Sequence, residues 1–197
     1  ISPHFILLRT ELSFSLYIFL LIMAGVIIPK TYVKEVSAPL IFLAGPIGSA
    51  PNWQDKAIDI ILSQNNDLIV VSPRRGIRES IASYILQGDE NYFPRQRAWE
   101  RYYLDLASKT GAIMFWLPGE EKHECQKVYG AITRMEIGQW MTNYRYDNSV
   151  SLCVGSDGKF PEVHTIKYDL EIDAPGKVVF GNLEETCMEA IKLAQQK

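Results

Sequence analysis

Apolar positions along the chain fall in short blocks, each stopped by turn residues. The run from Pro39 to Ala44 ends at Gly45-Pro46, that from Asp67 to Ser72 at Pro73, and that from Gly111 to Leu117 at Pro118-Gly119. Val150–Val154 and Lys177–Phe180 are two further runs. Continuous apolar runs of this length predict strands buried on both faces. Between them the pattern changes to helical spacing. After Asn52, the residues Trp53, Ala57, Ile60 and Ile61 recur on one side. A helix over Arg95–Ser108 places Glu100, Leu104 and Ala107 within an arc of about 60°. Further helices are predicted over Gly130–Thr142 and Leu183–Ala194. Residues 77–93 read as a loop with at most one helical turn. Residues 157–175 are open to an extended or an irregular reading around Val163–Tyr168.

Buried strands alternating with amphipathic helices predict an α/β fold, a doubly wound parallel sheet of about five strands with helices on both faces. Ligands then belong at the carboxyl ends of the strands. That edge comprises residues 45–53, 72–76 and 117–136.

One stretch stands outside this pattern. Leu12 to Ile28 carries no charged residue over 17 positions, between Glu11 and Lys30. Its length is at the lower limit for a membrane span. Three readings stay open: Met23 as the true start with residues 1–22 outside the working protein, an N-terminal membrane anchor, or a buried segment. The expected organisation is an apolar segment and polar lead-in over 1–38, then one domain over 39–197.

Composition narrows the function classes. The 197 residues are 47% hydrophobic and 22% charged, enough to form a full core. A net charge of −3 argues against polymeric nucleic acid as a partner, which requires a basic surface. Monomeric nucleosides or nucleotides need only one pocket. Three widely spaced cysteines, Cys125, Cys153 and Cys187, suit a reducing, cytoplasmic setting. His123-Glu124-Cys125 has no second cluster at ligand spacing, so no metal is expected.

The strongest chemical candidate is Glu136. On a helical wheel it shares a side with Ile132, Met135, Gln139 and Trp140, and a carboxylate in such company is costly unless it is paired or functional. Proximity to the helix start favours its ionised form. The alternative is a rim glutamate paired with Arg134 or Lys127. Glu100 turns inward with Leu104 and Ala107; its alternative is a solvated charge within Arg95–Arg101. Two carboxylates facing one pocket are the minimum for retaining glycosyl chemistry. The Gly45-Pro46-Ile47-Gly48 turn is a candidate ligand loop. Arg74 and Arg75 are placed to hold a phosphate, or are solvated surface residues. Trp53, Trp99 and Trp116 are candidates for stacking on a base, and equally for core positions.

Taken in order, several segments resemble the nucleoside 2-deoxyribosyltransferase-like family. They are Ile41–Ile47, Trp53, Ser72–Arg75, Trp99-Glu100 with Tyr103-Leu104, Phe115–Pro118 and Thr133–Trp140, which together span residues 41–140. Met135–Gly138 matches the family's nucleophile signature. The resemblance implies a flavodoxin-like sheet and a double displacement in which Glu136 attacks C1′ of the sugar, with Glu100 assisting. A free nucleobase or water would then take the sugar. It implies a substrate pocket drawing on Gly45, Pro46, Ile47, Trp53, Arg74, Arg75, Trp99, Trp116, Pro118 and Arg134. No cofactor and no metal are implied, and self-association into a homo-oligomer is.

The chain departs from the family where an aspartate stands six residues before the nucleophile; here that position is Gly130. Glu120, Glu121 and Glu124 in the preceding loop are candidate replacements. Asp105 is the fallback for Glu100. Three functions follow as alternatives: base exchange between nucleosides, hydrolysis of nucleoside 5′-monophosphates, and nucleotide binding without turnover.

Overall fold

The computed structural model describes residues 25–33, 36, 38–76, 78–81, 84–85 and 93–197. In chain order the elements are β1 (Gly25–Ile27), β2 (Thr31–Tyr32), β3 (Leu40–Ala44), α1 (Trp53–Gln64), β4 (Ile69–Val71), β5 (Tyr84–Ile85) and α2 (Phe93–Thr110). There follow β6 (Gly111–Leu117), α3 (Ala131–Tyr146), β7 (Leu152–Ser156), α4 (Val163–Asp173), β8 (Val179–Phe180) and α5 (Leu183–Ala194).

Six strands form one sheet in the order β1-β4-β3-β6-β7-β8, and every neighbouring pair is parallel. Without β1, the order is the 2-1-3-4-5 arrangement of flavodoxin-like folds. Apart from Ser156 at the end of β7, the strands of this sheet carry no polar side chain, because both faces are covered. Leu40, Phe42 and Ala44 of β3 join Ile113, Phe115 and Leu117 of β6 in one core, against Trp99 and Tyr103 of α2 and Ile137 and Trp140 of α3. Ile41 and Leu43, with Met114 and Trp116, face the other core against α1 and α5. Successive side chains of a strand point to opposite faces, so one apolar run serves both layers.

Local chemistry sets the helix starts. Asn52 accepts a hydrogen bond from the Asp55 N–H and caps α1; Asn182 does the same for α5 with Glu185, at 2.8 Å. At the other end of the strand-helix unit, Gly111 lets α2 run straight into β6. A Cβ on Gly111 would sit 1.8 Å from the Leu40 carbonyl oxygen, inside the central strand pair.

The doubly wound parallel sheet agrees with the sequence reading; its sixth strand is Gly25–Ile27, near the end of the Leu12–Ile28 stretch, which pairs with Ile69–Val71 of β4. The folded unit therefore includes residues ahead of 39; residues 12–24 of that stretch lie outside the described residues. Residues 31–33 are docked rather than a loose lead-in: Thr31 accepts hydrogen bonds from Trp99 Nε1 at 2.7 Å and Tyr103 Oη at 3.3 Å. Tyr84–Ile85 adds a short antiparallel ladder to them within the stretch read as loop. Val163–Asp173 is a helix, with Ile166 and Leu170 buried one turn apart. Among the described residues, no helix is long and apolar enough to cross a membrane.

Gly111→Ala is expected to destabilise the protein by roughly 2 kcal/mol or more, since backbone rather than a flexible side chain opposes the new methyl. Chemical denaturation of the variant measures this, and unchanged stability refutes the tight β3–β6 approach.

Candidate active site

The 2-1-3-4-5 order reverses direction between β3 and β6, and a cleft of about 290 Å³ opens there at the carboxyl edge. The loop after β3 forms one wall, the start of α2 a second, and the segment leading into α3 a third. Pro73 closes it from the end of β4.

Glu136 and Glu100 both line this cleft and both are buried, each 8% exposed. A residue with no counterpart in the sequence reading joins them. Arg97 Nη1 donates to Glu136 Oε1 at 2.6 Å and to Glu100 Oε2. Gln96 Nε2 donates to the other oxygen of Glu100 at 3.1 Å. Arg97 and Glu100 stand one turn apart on α2, while Glu136 comes from α3. The sequence signal for Arg97 was its spacing of three from Glu100, which is common on any charged helix. Only the approach of the two helices makes it a bridge.

The electrostatics follow from depth. Burial pushes the Glu136 carboxyl above its ordinary range; Arg97 pulls it back, and the Glu100 charge adds to the rise. Burial also opposes the Arg97 charge, but its two carboxylates outweigh that and hold the guanidinium firmly protonated. Glu136 is the more enclosed partner, with 11% of its side chain exposed against 24% for Arg97, so its desolvation is less fully offset. The helix start contributes little, because α3 begins at Ala131 and the end effect fades within a turn. The helical wheel also needs rotation: Met135 is 70% exposed and Ile132 43%, whereas Thr133, Ile137 and Trp140 are buried with Glu136.

Gly45, Pro46 and Ile47 line the cleft as expected. Gly45 is required by space, since a Cβ there would lie 2.3 Å from the Trp116 carbonyl oxygen. Among the remaining predicted binding residues, Trp53 and Arg74 hold the walls from behind. Trp53 Nε1 donates to the Pro46 carbonyl at 2.9 Å from within the core. Arg74 donates to Gln54 Oε1 at 2.7 Å and to the carbonyls of Ile47, Ala50 and Pro51 at 3.0, 3.4 and 3.2 Å. Arg74 is thus a clamp on the loop, and burial lowers its pKa. Arg75 is exposed and off the cleft lining. Trp99 and Trp116 lie in opposite cores. The Pro118 carbonyl accepts from Tyr129 Oη at 2.9 Å. Arg134 donates to the Tyr129 carbonyl at 2.7 Å and stacks over Phe160, rather than pairing with Glu136.

Gly130, at the departure from the family pattern, caps α3 in a left-handed conformation with φ 65°. A Cβ there would meet the Phe160 ring at 2.6 Å, so the site has no room for an aspartate. Among the loop acids, Glu120 lines the cleft. Glu124 accepts from Ser49 Oγ at 2.8 Å and pairs with Lys127, which hold its carboxyl below the ordinary range. Asp105 pairs with Lys109 at 2.7 Å and borders a separate hollow of about 220 Å³ behind Glu136. Among the described residues, no cluster of three metal-ligating side chains occurs.

The chain matches no protein-family model, and no curated protein matches it.

A raised native-state carboxyl favours folding below the unfolded-state pKa, and that contribution is lost as pH rises through the native value. The contribution of Glu136 to stability is therefore greater at acid than at neutral pH. The Tm of Glu136→Gln relative to the parent is expected to fall as pH drops from 7 towards 4. Melting curves of both proteins across this range measure it, and a difference that does not change with pH overturns the assignment.

Proposed function

We propose that the protein cleaves or transfers the N-glycosidic bond of nucleosides through a glycosyl-enzyme on Glu136. The observation that carries this reading is a pair of cleft carboxylates held on one guanidinium nitrogen. A guanidinium on a buried carboxylate keeps it ionised and aimed, as a nucleophile requires, and so supports attack by Glu136 itself over direct attack by water.

In this reading Arg97 has two tasks. It keeps Glu136 ionised despite burial, as a nucleophile requires, and it fixes the carboxylate's direction. Glu100, with Gln96, anchors Arg97 and positions the nucleophile from the far side. The glycosyl-enzyme then passes its sugar to a free nucleobase or to water. Nucleosides fit better than 5′-monophosphates, because the Arg74 guanidinium is spent on loop carbonyls instead of facing the cleft. Self-association also fits: Val128 and Ile132 at the cleft mouth and Met135 beside them are exposed apolar side chains. A second copy covering them would narrow the opening. Cys125, Cys153 and Cys187 are all free thiols, which supports a reducing compartment.

Incubation with a panel of nucleosides and a free acceptor base, read by chromatography, tests the activity. Exchanged nucleoside identifies a transferase, and free sugar a hydrolase. Glu136→Ala is expected to lose at least about 10³-fold in rate while remaining folded. Unchanged cleavage in that variant removes Glu136 from the chemistry. Tight nucleoside binding without turnover in the parent protein leaves a binding module instead.

The raised Glu136 carboxyl also sets the pH dependence. Activity requires its ionised form, so kcat/KM is expected to fall on the acid side at a pH above the ordinary glutamate range. Arg97→Ala removes the opposing charge and shifts that acid limb further up, with a loss of roughly 10²-fold at neutral pH from misalignment. A limb that stays in place in this variant contradicts the role given to Arg97.

A further inference from the structure

We propose that Glu120 is the general acid that protonates the departing base and later accepts the proton of the incoming water or base; this rests on the reading of Glu136 as nucleophile. Three acids line the cleft among its described residues: Glu100, Glu120 and Glu136. Glu136 is the attacking group and must be ionised. Glu100 accepts a hydrogen bond on each oxygen, from Gln96 and from the permanently charged Arg97. Both oxygens of this carboxylate are thus engaged, and neither is free to face a departing base.

Glu120 is held differently. Among the described residues it has no guanidinium partner; Oε2 contacts His123 Nδ1 at 2.9 Å. His123 is 69% exposed at its side chain and Glu120 22%. This imidazole therefore joins the cleft acid to solvent, as a proton-exchange path requires. Lys127, which also lines the cleft, is taken up by Glu124 at 2.6 Å.

The loop that carries Glu120 is fixed from three sides. The Ser49 carbonyl accepts the N–H groups of Glu121 and Lys122 at 2.8 and 3.3 Å. Asp157, just past β7, accepts the Gly119 N–H on both carboxylate oxygens at 3.0 Å. Tyr129 Oη donates to the carbonyls of Pro118 and Gly119 at 2.9 and 3.2 Å. Glu120 is thereby presented on a braced backbone, in the same cleft that Glu100 and Arg97 line.

The step balances as follows. A Glu136 oxygen bonds to C1′ as the C1′–N bond breaks, and the bonding pair goes to the base nitrogen. Glu120 gives its proton to the base, which leaves neutral. In the second half, water or a second base bonds to C1′, loses its proton to Glu120, and the Glu136 carboxylate departs.

The test compares two substrates of the same sugar, a purine nucleoside and a nitrophenyl glycoside whose leaving group needs no proton. Glu120→Gln is expected to slow the nucleoside by about 10²–10³-fold and the nitrophenyl glycoside by less than about threefold in the glycosylation step, read as the single-turnover burst. Glu120→Asp, which keeps a carboxyl group, is expected to recover part of the nucleoside rate and serves if the glutamine variant does not fold. Equal losses on both substrates, or no loss on the nucleoside, overturn the assignment of Glu120 alone. A parent protein that cleaves neither substrate overturns the nucleophile reading and this one together.

Discussion

The contact on which the site depends is the one between Arg97 and its two carboxylates. Without the guanidinium, Glu100 and Glu136 would be two enclosed like charges facing one cleft, and at least one would take up a proton. With it, the pair stays close and Arg97 opposes the effect of burial on the Glu136 carboxyl. The same contact ties α2 to α3 at their cleft ends, since Arg97 comes from one helix and Glu136 from the other. The proposed chemistry and the helix docking thus share one nitrogen atom.

Around this bridge the walls are rigid because buried polar groups hold loop carbonyls from behind. Trp53 holds Pro46, Arg74 holds Ile47, Ala50 and Pro51, and Tyr129 holds Pro118 and Gly119. Ser49, in a left-handed conformation at φ 62°, turns its carbonyl onto the loop after β6 and so joins two walls. The proposed catalytic role needs such support, because a displacement of about 1 Å costs on the order of 10²-fold in rate. Several residues read from sequence as ligand contacts have this bracing role instead.

The reason for those misplacements is specific. Trp53, Arg74, Trp116 and Pro118 do sit at the carboxyl edge in sequence, next to turns that line the cleft. Whether a side chain at a strand end enters the cleft or backs its wall depends on strand pleat and loop curvature, and neither leaves a mark in composition. Of the two readings of Trp99 the core one holds, because α2 turns it towards the sheet, where its ring packs near Phe42 and Tyr103. Glu100, three residues from Arg97 and one step round the wheel from Trp99, faces the cleft edge instead. The strand β1 was hidden inside a longer apolar stretch, where three residues of sheet cannot be told from the rest.

The sequence by itself determined the layered architecture, because apolar runs and helical stripes leave few ways to bury their surfaces. It determined the edge where chemistry belongs, since parallel strands joined by right-handed crossovers bring every strand end to one side. It also singled out Glu136 and Glu100 as inward-facing acids. Tertiary structure alone decided that Arg97 joins them, that Gly130 has no room for an acid, and that Glu120 is the loop carboxylate in the cleft. These are contacts between residues tens of positions apart, set by how helices and loops pack, and local periodicity carries no record of them.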